Sequence, residues 1–238
     1  MDVLTPETRP IASGDLGILQ QFINSGHLGS ELGVAPETAE EVRLRTEAGE
    51  HQASLAKEFG LGRTLVSAMG RGAPMFDELA TLEGAEEWLR GHSLLQAGEK
   101  MDERARERVV EFRELLRLLA AANAHGEANP ADLAALNAVT ATVPLSATFG
   151  PGPSVQLRPS KSGAEQAIGR LLIVLYDAMR DGSWRRLKRC PGSGCPFTFY
   201  DSSRNRTAVW CSMSVCGNRA KVRNYQERAR TGRAKRPR

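Results

Sequence analysis

The four cysteines of this 238-residue chain are Cys190, Cys195, Cys211 and Cys216, spaced C-x4-C-x15-C-x4-C near the C-terminus. Two close pairs bracketing one loop bring four soft donors together, the arrangement that a tetrahedral zinc ion needs. Paired ligands in such sites commonly have two residues between them, and here there are four, so each turn must be wider. Pro191-Gly192-Ser193-Gly194 supplies a flexible turn for the first pair, and residues 212–215 lead the second pair into a helix. With neither histidine nor carboxylate in the set, the site reads as structural rather than catalytic. The donors alone also admit an iron–sulfur cluster, or free or disulfide-bonded cysteines, although a reducing compartment argues against disulfides.

The net charge of +4 is a remainder of two opposed regions. Residues 180–238 hold 16 Lys/Arg against 3 Asp/Glu, a net of +13, and residues 1–179 carry −9. An acidic body with a basic end points to a polyanion partner. Four thiolates around one zinc leave about −2 at the site, so about +11 remains for contact with phosphate. The basic side chains flank the cysteines: Arg185, Arg186, Lys188 and Arg189 before the first, Arg204 and Arg206 between the pairs, Arg219, Lys221, Arg223 and Arg228 after the last. Packing of some of these arginines on the acidic body is the competing reading.

Residues 184–225 contain six of the 13 aromatics. A short module gains little core of its own, so metal ligation and a few aromatics must hold it. Residues 196–200 predict a strand, 201–206 its turn and 207–210 a returning strand. A helix is expected over about 220–230, with Val222, Tyr225 and Ala229 on one face and Arg219, Arg223 and Arg230 on another.

These residues resemble a known family. Arg189-Cys190, Cys195, the run Phe199-Tyr200-Asp201-Ser202-Ser203-Arg204-Asn205, Trp210-Cys211-Ser212-Met213 and Cys216-Gly217-Asn218-Arg219-Ala220-Lys221 are similar to the CGNR-type zinc finger of bacteria over about 45 residues. In that family the finger follows an ABATE domain, in proteins described as stress-induced transcription regulators. The resemblance implies one structural zinc on the four cysteines and a DNA-binding module. For the triplet, Gly217 is expected to allow a tight start to the helix, Asn218 to cap it and Arg219 to contact phosphate.

The preceding region reads as mainly helical. Asp102 caps a helix through about residue 125, with Val109, Phe112, Leu115, Leu116, Leu119 and Ala122 as its stripe and Gly126 at its end. Asn129-Pro130 starts another, with Leu133 and Leu136 inward. Leu145, Ala147 and Phe149 alternate before Gly150-Pro151-Gly152-Pro153, and Val155 and Leu157 alternate back, which predicts a hairpin. Residues 162–181 form a helix with Ala164, Ala167, Ile168, Leu171, Leu172, Leu175 and Met179 inward. Phe22-Ile23-Asn24-Ser25, Asp77-Glu78-Leu79, Trp88-Leu89 and Leu136-Asn137 are similar to ABATE regions, more weakly than the finger.

Between Ser25 and Asp77 there is more chain than that family leads one to expect. Residues 52–69 resemble a helix-turn-helix: Ala56 at the crossing, Gly60 at the turn, Val66 as anchor, and Leu55, Leu61 and Met69 completing the core. Arg63, Thr64 and Ser67 then face a groove. Residues 33–75 have a net charge of −1, which favours a plain helical hairpin, since DNA-reading units are usually basic.

No G-x-S-x-G, Walker A or G-x-G-x-x-G pattern is present, and His27, His51, His92 and His125 are scattered. No apolar run approaches the ~20 residues a membrane helix needs, and no secretory signal is legible at the start. The expected fold is α+β: a mainly helical N-terminal domain with a small hairpin over residues 1–182, with 33–75 inserted. A four-cysteine module of hairpin plus helix follows at 183–230, then a basic disordered tail at 231–238. The expected function is a cytoplasmic, non-enzymatic DNA-binding regulator. Its partners would be DNA, a small-molecule effector and a second copy of the chain. RNA binding, an adaptor, or an enzyme using the finger as scaffold are the alternatives.

Overall fold

The computed structural model describes residues 11–26, 36–61, 66, 69, 77–152, 154–192, 195 and 197–234. In chain order these form α1 (Asp15–Asn24), α2 (Pro36–Glu47), α3 (Gln52–Glu58), α4 (Leu82–Gly91), α5 (Glu103–His125), α6 (Pro130–Ala141), β1 (Leu145–Phe149), β2 (Val155–Pro159) and α7 (Gly163–Arg180). A 3-10 turn (Trp184–Arg186) then leads to β3 (Leu187–Arg189) and β4 (Thr198–Tyr200), and a π-helical turn (Met213–Gly217) leads to α8 (Asn218–Ala234).

The architecture is organised on α5. Asp102 starts it as expected, its carboxylate accepting from the Ala105 N–H at 2.7 Å, which satisfies one of the orphan donors of the first turn. Gly126, at φ 118°, ends it. Val109, Phe112 and Leu116 are fully enclosed, and α1, α4, α6, α7 and β3 all pack against this helix. The Phe22 ring lies 5.6 Å from Trp88 and 6.1 Å from Phe112. Two arginines of α5 tie down the C-terminal end of α1. Arg117 donates to the carbonyls of Ile23 and Gly26 at 2.7 and 3.2 Å, and the buried Arg113 donates to Ser25 Oγ at 3.5 Å while making an ion pair with Asp77.

On α7, Ala164, Ala167, Ile168, Leu171 and Leu175 are buried as their spacing predicts. Met179 and, on α6, Leu133 are exposed instead, and Ala178 and Val139 take the inward positions. Hairpin β1–β2 pairs antiparallel from Leu145↔Pro159 to Phe149↔Val155. Its apolar alternation does not translate into burial, since Phe149 is 83% exposed. The hairpin's base seats on α7 at Gly169, where a Cβ would stand 3.0 Å from Pro159.

A second small core encloses Val42, Leu55, Ala56, Val66 and Met69, with Phe59 and Leu61 against it. Leu55, Ala56, Leu61, Val66 and Met69 are the core residues that the helix-turn-helix resemblance names, Val42 joins them from outside residues 52–69, and Gly60 takes the left-handed turn at φ 65°. Arg63, Thr64 and Ser67 lie outside the described residues. The cations of α2 are held by local carboxylates: Arg43 by Glu40 and Glu47, and Arg45 by Glu41, Glu50 and Glu58. Among the described residues, no helix is long and apolar enough to cross a membrane.

Candidate metal centre and nucleic-acid interface

The finger is built outward from the core of the body. Trp184 and Leu187 belong to the same buried cluster as Phe112 and Leu171, and fully burying a side chain of this size is worth about 1.5–3 kcal/mol. Asn123 of α5 donates to the carbonyls of Trp184 and Leu187, both at 2.8 Å. Asn24 of α1 treats β4 as a strand partner. Its amide donates to the Thr198 carbonyl at 2.8 Å and accepts from the Thr198 N–H at 2.9 Å. Gln20 adds a second bond to that carbonyl at 3.3 Å.

The hairpin differs from the expected one. β4 pairs antiparallel with β3, Leu187↔Tyr200 to Arg189↔Thr198, and residues 207–210 are not a strand. The basic run before Cys190 read as a charged flank, yet Leu187 alternates inward and starts a strand. The first cysteine pair therefore sits on the hairpin's own loop, extended by Cys190 N–H donating to the Phe197 carbonyl at 2.9 Å. The second pair sits at the π-helical turn.

The four Sγ atoms lie within 4.8 Å of one another. Cys195 and Cys211 sulfurs are 3.7 Å apart, and those of Cys211 and Cys216 3.6 Å. Four sulfurs at about 2.3 Å from a central zinc would stand about 3.8 Å apart along the tetrahedron's edges, so the geometry fits one zinc. All four cysteines are free of disulfide bonds. Hydrogen bonds from Cys195, Cys211 and Cys216 hold the Cys190 thiol below its ordinary range, while the bond to Cys190 pushes Cys195 and Cys211 above it. Without a cation the cluster thus retains protons, and a bound dication would release them. Two glycines make the close packing possible. A Cβ on Gly192 would stand 3.2 Å from the Cys216 sulfur, and one on Gly217 would meet Met213 Sδ at 2.5 Å and Trp210 at 3.2 Å.

Sequence reasoning overlooked Asp201, although Asp-Ser-Ser after a strand is a signature of an Asx turn. Its enclosed carboxylate accepts from Lys188 Nζ at 2.8 Å, Ser203 N–H at 3.0 Å, Ser203 Oγ at 2.5 Å and Ala208 N–H at 3.0 Å. Lys188 also donates to the carbonyls of Arg206 and Ala208. This corrects the placement of Lys188 among the nucleic-acid contacts: it is buried, and its ammonium is consumed in the loop. Arg186 is partly withdrawn too, one nitrogen donating to the carbonyls of Asp201 and Ser203 at 2.8 and 3.0 Å.

The remaining candidates reach the surface. Arg185, Arg204, Arg206, Asn218, Arg219, Lys221, Arg223 and Arg228 are exposed, and Arg189 is half-buried. Asn218 does not cap the helix. Its amide donates to the Ser214 carbonyl at 3.1 Å, because the π-helical turn already feeds its backbone into α8. That helix runs to Ala234, beyond the expected end, and residues 235–238 lie outside the described set. Val222 and Tyr225, expected on a packed face, are 56% and 76% exposed, and the substantial contacts of α8 are with the π-helical turn.

Two clefts open near the finger. One of about 270 Å³ lies between α1, α7 and β4, lined by Asp15, Asp177, Asp181, Ser183 and Tyr200 among others. Another of about 190 Å³ is lined by Gly192, Cys216, Arg219 and Arg223.

Comparison with protein families gives two matches. Residues 186–229 match the CGNR zinc finger. Residues 61–180 match ABATE, described as "Putative stress-induced transcription regulator". No curated protein matches the chain.

Proposed function

The chain belongs to the ABATE family and carries a C-terminal CGNR zinc finger, and from this we propose that it is a non-enzymatic, DNA-binding transcription regulator answering to stress or a ligand. The observation that supports DNA contact best is α8. It bears six Lys/Arg against Glu227 alone, and residues 221–228 are all exposed. A helix this basic gains nothing from its own core and is suited to the phosphate-lined groove of a duplex. The metal knuckle fixes its start, and the hairpin fixes the knuckle to the body. An effector acting in the cleft between α1, α7 and β4 would bear on that seating, which thermal-shift screening of the whole protein tests.

Binding-site selection with the full zinc-loaded protein and a Cys211→Ser variant tests the DNA reading. Enrichment of a duplex sequence by the wild type and its loss in the variant are expected. Equal enrichment by both overturns the role of the zinc module. Preference for single-stranded RNA in a competition at fixed salt would move the reading to RNA, where exposed Tyr225 would serve as a stacking platform.

A further inference from the structure

We propose that Arg219 and Arg223 form a seat for a backbone phosphate of nucleic acid, built onto the metal knuckle itself; this rests on the nucleic-acid reading above. The two residues stand one helical turn apart on α8, so both guanidinium groups project from one face. They line the same cleft of about 190 Å³, which Gly192 and Cys216 also line. Among the described residues, no carboxylate lines it and neither arginine makes an ion pair. Neither donates to a cysteine sulfur there, so their N–H donors are not used up by the thiolates. Two uncommitted guanidinium forks over a shared hollow match the oxygens of a phosphodiester.

Gly192 sets the floor. A Cβ at this position would stand 3.2 Å from Cys195 Cβ and Cys216 Sγ and 3.5 Å from Cys190 Sγ. No side chain can stand there without crowding the ligands. The seat is thereby tied to the metal site: Cys216 is both a ligand and a wall, and Arg219 follows it by three positions. Arg104 and Arg158, exposed on α5 and β2, are outside this cleft and outside the basic end. They serve as the control.

The test uses the full zinc-loaded chain. Affinity for a 20-base-pair duplex is measured against salt for the wild type, R219Q/R223Q and the control R104Q/R158Q. Zinc content is measured in each, and inorganic phosphate is titrated while the arginine side-chain NMR signals are followed. Loss of the one seated phosphate lowers the magnitude of the log–log salt slope by about 1, with zinc content unchanged and the R104Q/R158Q slope equal to that of the wild type, and phosphate shifts the Arg219 and Arg223 signals. A wild type that binds duplex, with an R219Q/R223Q slope equal to it, overturns the seat and leaves the DNA reading standing. A wild type that binds no nucleic acid overturns the DNA reading, and with it the assignment of this phosphate to a nucleic acid. Phosphate shifts at the two arginines would then retain only the anion hollow. Zinc lost from R219Q/R223Q overturns the seat in favour of a role for the pair at the metal.

Discussion

Asp201 and Lys188 are the pair on which the finger's loop depends. Burial works against the charge of Asp201, but Lys188 and Ser203 outweigh it and hold the carboxyl below its ordinary value. A group so lowered stabilises the fold above the ordinary carboxyl range of about 4 and loses that contribution as pH falls through the folded value. Asp201→Ala would leave the Lys188 ammonium buried without its counter-charge. Removing one partner of a buried pair costs about 3–5 kcal/mol, and chemical denaturation should show a loss of that order. The wild-type advantage over the variant should shrink in acid. Lys188 was legible only as a positive charge, because what converts it from a surface contact into a brace is an aspartate thirteen positions on.

Among the elements, α5 and α8 show how far a pattern reaches. The apolar stripe of α5 and its Asp102 and Gly126 boundaries were all legible, since capping and 3.6-residue spacing are local. The extent of β1–β2 was legible from alternation, but its exposure was not, because alternation says that two faces differ and not that either is covered. The pairing of β3 with β4 was misread for a related reason: strand partners are chosen by which residues the body can bury, and Leu187 and Trp184 belong to its core. In α8 the spacing of Val222 and Tyr225 suggested a packed face, yet both are exposed. A helix without tertiary support is marginal in water. Amide hydrogen exchange should therefore be fast over residues 221–228 in the free protein and slow when duplex DNA is bound. Equal exchange in both would count against α8 as the binding element.

For the molecule as a whole, the decisive feature is how the finger is shared. β3 and β4 are held by Asn24, Asn123, Trp184 and Leu187, all independent of metal, whereas the second cysteine pair and the start of α8 depend on the sulfur cluster. Chelation of zinc should accordingly not unfold the body. We expect hydrogen exchange to rise over residues 208–234 and to stay unchanged over α5 and α7, read on the same protein before and after chelation. Because the thiols must lose protons to bind, the apparent zinc affinity should weaken as pH falls. Loss of protection across α5 on chelation would refute this division of labour.

A four-sulfur site was readable from the spacing, and the family resemblance, not the spacing, singled out one zinc among the alternatives. The opposed charges of body and end, and the CGNR resemblance, were equally open in the chain. Which cations remain for a partner was settled in three dimensions. Lys188 is consumed by Asp201, Arg186 in part by two carbonyls, and Arg219 and Arg223 remain around one hollow. Charge is counted along the sequence, but its availability depends on desolvation and on partners distant in the chain, and only folding brings those together.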